Sequence, residues 1–565
     1  MTGRRFAAAL LAIALLALAL RVIFPAADPP WRPTVGVVWH DEGAWTHNAR
    51  NKALFGAWRL DDWNPLYIAP VFTALEYASF EAFGVGVRQA RLVSQLAGFL
   101  SVLLLALGVR RIAGRVPGLI AGGLLATNYV YVMYGRAAIM ESLMVSLIVA
   151  SWYCSTRAEK DPAWGAAAGV CATLAFFTKA AAAFYVGALG LVAAIGYLRP
   201  EGRSGLQISA DRKASSWTLG GLAASFAAVG LLFVLPHWSD YQFYNWQMSV
   251  TRKPSYDIAS LVMRLSWFPV IHDTFSRMWF ALALGMFGAW GIAVRWRQAG
   301  GAERLLLLWL TAGCLELLVH DVGNERRFVF LIPVLIALTS LVLGRGTLLP
   351  PDAARVSRRS LFLISPLLLY SAYIVLGPLT RLPFLEQIRS NVFRMPVRTG
   401  AVAAVVLVAA LLLGWGWASR LLTSARWKPA FAGAFLGVAM AWHVAQFVDY
   451  ARYRTYENYA ASLALARVLP PGTEVQGKLA NGLALENRIR PIFIGHEFGN
   501  YADRKNRWDV RYILTYTDPA IGYEGDQILD VLAAYPGWRI IMTFDVAETR
   551  SGHDTAALIE KRARP

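Results

Sequence analysis

Long apolar runs recur along this chain, separated by short clusters of Lys and Arg, and that pattern limits the fold more than any single motif. A run of roughly 20 apolar residues is the length at which a helix crosses the hydrocarbon of a bilayer. Inside lipid the backbone finds no water to bond with, so such runs must be helical. The chain has 565 residues, 56% of them apolar and 16% charged, a departure from the soluble average toward a polytopic membrane protein. Its formal charge of +19 is divided among clusters between apolar runs rather than gathered in a basic patch interleaved with aromatics. The charge therefore reads as membrane topology, and nucleic acid is not an expected partner. Cys154, Cys171 and Cys314 sit in or beside apolar segments, where a lone thiol behaves as a small hydrophobe. No disulfide framework or zinc spacing is present.

Counted at the crossing length, with allowance for tilt and short helices, the runs make about thirteen spans. They begin near Phe6, Gln89, Pro117, Met140, Trp164, Ala182, Trp217, Arg277, Leu305, Arg327, Leu361, Ala401 and Phe431. The first follows Arg4-Arg5 and reads as an uncleaved span, because its apolar run is longer than the roughly 7 to 15 residues of a signal-peptide core. Arg110-Arg111-Arg115, Arg157-Lys160, Arg199 to Lys213, Arg295-Arg297-Arg304, Arg345 to Arg359 and Arg420 to Lys428 fall on alternate connections. The positive-inside rule assigns them, with Arg4-Arg5, to the cytoplasm. Beyond about Tyr450 the composition shifts to polar helix-like stretches (Tyr456 to Leu469, Asp526 to Ala534) and short β-rich runs (Val475 to Gly477, Pro491 to Gly495, Tyr512 to Tyr516, Ile540 to Phe544), the mark of a small α/β domain. The expected fold is mainly α: a polytopic helical bundle over residues 1–447, with a first outer loop at 25–88, then an extracytoplasmic α/β domain over 448–565. No internal repeat is found, which counts against a transporter built from duplicated halves.

The chemistry gathers on the side away from the basic clusters. Asp41 and Glu42 follow Trp39-His40 just beyond the first span, and charges at the rim of the hydrocarbon are costly unless something uses them. Asp41 to Trp58 reads as a surface helix with Ala44, Trp45, Ala49, Leu54, Phe55 and Trp58 toward lipid and Arg50, Lys52 and Arg59 toward water. Asp41 then falls at or near the N-cap, where a plain capping role competes with a catalytic one. Glu141 opens a span shortly after Arg136, and Lys179 lies between two apolar segments; each also suits a dipole-complementing or snorkelling role. Arg326 and Arg327 place two guanidiniums at one span end, a pairing suited to bidentate phosphate binding. Arg264, His272 and Arg252-Lys253 in the loop after the seventh span are weaker candidates. His40 beside two acids is thin support for a divalent metal, and no ligand spacing or nucleotide cradle exists, so neither metal nor cofactor is expected.

At these residues the chain resembles the membrane-embedded glycosyltransferases of the GT-C fold, in particular the group related to protein O-mannosyltransferases and lipid A aminoarabinose transferases. The resemblance rests on Asp41-Glu42 with Ala49-Arg50, Asn64-Pro65-Leu66-Tyr67, Val87-Arg88 to Arg91-Leu92, Arg136 to Glu141, Phe177-Thr178-Lys179, and Arg326-Arg327-Phe328 to Pro333. It implies a donor sugar on a polyprenyl phosphate, Asp41 as base, and a second acidic position at Glu141, with Glu42 beside them. Arg136, Lys179, Arg326 and Arg327 become candidates for the donor phosphate, and His40, Arg50, Asn64, Tyr67, Arg88, Arg264 and His272 for the substrate pocket. Where aminoarabinose transferases carry Lys before a Pro-Pro-Leu-like motif, this chain has Trp63-Asn64 before Pro65-Leu66. The expected activity is an inverting transfer of the sugar to a protein, lipid or glycan acceptor at the outer face of the cytoplasmic membrane. A lipid A type transferase and a lipid or sugar transporter are the alternatives.

Overall fold

Helices account for most of the chain in the computed structural model, which describes residues 2–30, 39–199, 205–250, 256–262, 277–320, 325–351, 353, 361–362, 365–379, 396–424, 426, 429–493, 505–517, 527–547 and 554–561. Among the described residues six helices are long and apolar enough to cross a membrane: Gly3–Val22, Val87–Ala113, Ala180–Leu198, Asp211–Trp246, Arg326–Arg345 and Ala430–Val468. The pair Ala401–Leu413 and Trp415–Ser424, bent by 94°, makes a seventh if taken as one span. The chain is thus a multi-pass membrane protein, and six or seven such helices are found among the described residues where about thirteen spans are expected.

The excess has a physical origin. Arg115–Thr127, Trp164–Thr178 and Trp279–Val294 are helices of 13, 15 and 16 residues, which at 1.5 Å per residue reach only about 20 to 24 Å of a roughly 30 Å hydrocarbon layer. Met140–Ala158 and Gly301–His320 carry acids and arginines inside their lengths. An apolar run shows where a helix is buried but not where it breaks. Gly114, at φ 98°, stops Val87–Ala113 and starts Arg115–Thr127 on a new axis, a conformation that glycine adopts without a Cβ penalty.

Short side chains set the packing. Trp164–Thr178 and Gly205–Val229 meet almost backbone to backbone, since a Cβ on Gly169 would stand 2.5 Å from the amide nitrogen of Leu222. Close approach through small residues is how helices associate where lipid supplies no hydrophobic drive.

The C-terminal region forms a five-stranded sheet of order β2-β1-β3-β5-β4, with β1 at Glu474–Gln476, β2 at Arg490–Ile492, β3 at Tyr512–Tyr516, β4 at Arg539–Val546 and β5 at Asp554–Glu560. Strand β1 runs parallel to β2 and β3, and β5 lies antiparallel between β3 and β4. The sequence pattern locates four of these strands and does not reveal β5.

This region lies directly on the first loop. The Trp39–Phe55 helix is roofed by it, so Arg50 does not face water as expected. Its guanidinium is 1% exposed and donates to the carbonyls of Ala484, Asn487 and Ile489 at 3.0, 3.0 and 2.9 Å; burial pulls it down to about 9. Ala44, Trp45 and Ala49, expected against lipid, are buried inside the protein. Trp63 stacks on Phe493 with centroids 4.7 Å apart. Asp28 ties the same joint, accepting from Thr455 Oγ1 at 2.8 Å and the Glu457 amide at 2.7 Å.

Gly43 marks the closest approach, where a Cβ would run into the Asn481 carbonyl. Gly43→Ala is therefore expected to push the C-terminal domain off the helix and cost about 1 to 3 kcal/mol, read as faster limited proteolysis near residues 454–457 and a lower Tm.

Candidate active site

Four charged side chains from distant parts of the chain meet at one place. Asp41 sits in the first turn of Trp39–Phe55, two residues inside the helix rather than at its cap. Glu141 opens Met140–Ala158, Lys179 follows the last residue of Trp164–Thr178, and Arg326 lies in the Glu325–Phe330 turn that leads into Leu331–Arg345. Arg326 pairs with Asp41. Its Nε stands 3.4 Å from Glu141 Oε1, and the same oxygen accepts from Lys179 Nζ at 2.6 Å. The result is a chain of alternating charges, Asp41–Arg326–Glu141–Lys179, that is neutral as a whole. Arg327 is half-buried and within electrostatic range of Lys179.

The two acids are not equivalent. The Glu141 side chain is 2% exposed and held by two cations, while that of Asp41 is 18% exposed. A group that must take a proton from an incoming substrate has to be reachable, which favours Asp41 over Glu141.

Glu42, expected among the catalytic groups, points elsewhere. Its carboxylate receives Arg91 Nε and Nη2 at 2.8 and 2.7 Å, and Oε1 also accepts the Ala138 amide at 2.7 Å. Arg91 in turn donates to the carbonyls of Pro25 and Ala27 at 3.0 and 2.6 Å. Glu42 is thus a fastener that ties the first loop to the turn before Glu141. Arg136 is also apart from the cluster: its Nη atoms donate to the carbonyls of Leu20 and Phe24 at 2.8 and 2.9 Å, and it lies over the rings of Phe447 and Tyr450. Its fork is engaged by the protein's own carbonyls. Arg50 is committed to the C-terminal domain, and Arg88 is exposed at the start of Val87–Ala113.

Asn64 precedes the Pro65–Tyr67 turn, buried with its Oδ1 unpartnered. Tyr67 stacks in an aromatic group with Phe233, His237 and Tyr244. The side chain of His40 lies outside the described residues, as do Arg264, His272, Arg252 and Lys253. Among the described residues no group of three or more His, Cys, Asp and Glu converges as a metal site.

Some contributors are not singled out by the sequence. His47 Nε2 lies 2.8 Å from Asp61 Oδ1 and 3.0 Å from Asn51 Nδ2, while Asp61 Oδ2 accepts the Phe493 amide at 2.7 Å. Glu76 is 0% exposed with both oxygens unpartnered, and burial together with the nearby Glu42 carboxylate holds it well above the usual carboxylate range. Arg91 carries a signal, a cation one turn inside an apolar run; Glu76 carries only its residue type in an apolar helix.

The helical bundle is similar in fold to glycosyltransferases of the GT-C architecture. A family model described as dolichyl-phosphate-mannose-protein mannosyltransferase matches residues 67–204. The fold is similar to that of ArnT from Cupriavidus metallidurans in the apo state, at 16% identity and a TM-score of 0.51 over 100% of both chains. ArnT from the same organism bound to undecaprenyl phosphate matches at 17% identity and a TM-score of 0.45, over 99% of this chain and 98% of that one. The oligosaccharyltransferase AglB from Archaeoglobus fulgidus, in complex with an inhibitory peptide and a dolichol-phosphate, matches at 14% identity and a TM-score of 0.47, over 91% of this chain and 69% of that one. No curated protein matches the chain. The resemblance to GT-C glycosyltransferases read from the residues is borne out.

Two outcomes follow from the buried acids. Arg91→Ala leaves Glu42 buried without its cation and is expected to cost about 3 to 5 kcal/mol, measured as lost thermal stability in detergent. Because Glu76 binds its proton more tightly folded than unfolded, its contribution is full below the ordinary value of 4.5 and is lost as pH rises through its folded value. Glu76→Gln should therefore remove part of the decline in stability above that pH, seen by comparing Tm across a pH series.

Proposed function

We propose that this chain is an inverting glycosyltransferase that moves a sugar from a polyprenyl-phosphate donor to a protein, lipid or glycan acceptor, with its site on the extracytoplasmic side of a prokaryotic cytoplasmic membrane. The observation that carries this reading is the meeting of Asp41, Glu141, Lys179 and Arg326. The family match over residues 67–204 and the fold support the same class of enzyme.

A glycosyl phosphate already holds a leaving group of low basicity, so the reaction needs a base for the acceptor proton and cations for the departing phosphate. In this reading Asp41 takes the proton as the acceptor atom attacks the anomeric carbon. The bond from that carbon to the phosphate oxygen breaks, and the electron pair leaves with the polyprenyl phosphate, held by Lys179, Arg326 and Arg327. A single displacement inverts the anomeric centre. Arg326 also acts on the base. It pairs with Asp41 in the free protein, so an arriving phosphate that draws Arg326 toward itself unmasks the carboxylate. Glu141 keeps Arg326 and Lys179 in place during this exchange.

The expected result is that Asp41→Asn lowers turnover by about 10² to 10⁴-fold while donor binding is largely kept, whereas Arg327→Ala weakens donor capture by about tenfold or more. Purified protein incubated with a panel of prenyl-phosphate sugars and a native membrane extract, with release of prenyl phosphate and donor binding measured separately, tests both. Equal release from wild type and Asp41→Asn would remove Asp41 from the mechanism, and no release from any donor would reject the reading.

A further inference from the structure

Arg21 closes the last turn of the Gly3–Val22 helix and is 0% exposed. Its Nη1 donates to the Ala17 carbonyl at 2.9 Å, but Nε and Nη2 are buried without a hydrogen-bond partner. The guanidinium carbon stands 5.5 Å from the centre of the Tyr131 ring. The Tyr131 hydroxyl is buried beside the Ser101 hydroxyl, whose own proton goes to the Ala97 carbonyl at 2.9 Å. Two glycines make the room, since a Cβ on Gly98 would lie 2.7 Å from Arg21 Nε and one on Gly135 3.3 Å from it.

The charge balance around this guanidinium is wrong for a closed apolar interior. The charged side chain that acts on Arg21 is Arg136, a second cation, which donates to the carbonyls of Leu20, Arg21 and Phe24. No acid among the described residues acts on it; Glu42 gives both oxygens to Arg91, and Asp28 accepts from Thr455 and Glu457. The end of the helix offers only about half a negative charge. A buried cation with orphaned donors is strongly unfavourable unless an opposite charge reaches it.

We propose that Arg21 and the Tyr131 hydroxyl hold a small inorganic anion of halide size within the bundle, at a site separate from the Asp41–Glu141–Lys179–Arg326 cluster. A single-atom anion fits because it accepts N–H and O–H donors from any direction, while side chains buried this fully leave no passage for a phosphate that carries a lipid tail. The anion clamps the end of the Gly3–Val22 helix to Tyr129–Tyr134, the helix whose next residues form the turn to Glu141.

The test uses the full-length protein in lipid nanodiscs, first in sodium gluconate and then titrated with sodium bromide at constant ionic strength. Wild type is expected to gain thermal stability with saturation, and bromide-soaked crystals to show anomalous scattering within hydrogen-bonding distance of Arg21 Nη2. Tyr131→Phe should weaken the bromide response about tenfold, Arg21→Gln should abolish it, and Arg5→Gln should leave it unchanged. If Arg21→Gln fails to fold, wild type and Tyr131→Phe still decide. Wild-type stability indifferent to halide, or density at Arg21 that is the same with chloride and bromide and so belongs to water, overturns the proposal.

Discussion

Glu42 lies between the first loop and the bundle, at 4% side-chain exposure, and Arg91 meets it with two parallel N–H···O bonds while the Ala138 amide donates to the same carboxylate. An ion pair sealed from water gains only when its geometry is good and its remaining lone pairs are filled. Both conditions hold here, and the consequence reaches the site. Asp41 is the preceding residue, and Glu141 is three residues beyond Ala138. One buried carboxylate therefore sets the spacing of the two acids that flank Arg326. The loop cannot slide along the bundle without stranding a charge.

The proposed reaction asks the cluster for exchange rather than for stability. Two acids and two cations balance when the site is free, and the accessible acid, Asp41, pairs with the guanidinium best placed to turn toward a phosphate. Glu141 is the most buried of the four, while Lys179, at 19% side-chain exposure, is as open as Asp41 at 18%. Charge-assisted hydrogen bonds to a phosphate are short and strong, so in the proposed reaction the donor phosphate would compete well for Arg326. The C-terminal domain contributes by roofing the Trp39–Phe55 helix through Arg50, Gly43 and Trp63, which holds Asp41 at the edge of an otherwise dry region.

Much of this is legible from residue types. Asp41, Glu141, Lys179 and Arg326 stand out because charged side chains at the ends of apolar helices are rare and tend to be used. Glu42 and Arg136 have the same signature but pair with Arg91 and with backbone carbonyls outside the cluster, because sequence reports that a charge is present and not which carbonyls or cations surround it. Arg50 differs from expectation for a related reason: the side of its helix that looks wet in isolation is the one that the C-terminal domain covers.

The amino-acid sequence by itself determined that the chain crosses a membrane several times, that helices dominate, and that an α/β domain follows the last span. Burial of roughly 20-residue apolar runs and the alternation of short strands are local properties, carried by composition and period. Tertiary structure alone decided how many runs are long enough to cross, which ones break at residues such as Gly114, and which of the many charges become neighbours. Contacts between residues hundreds of positions apart depend on how helices pack, and in a low-dielectric interior a shift of a few ångströms decides which charges a carboxylate feels.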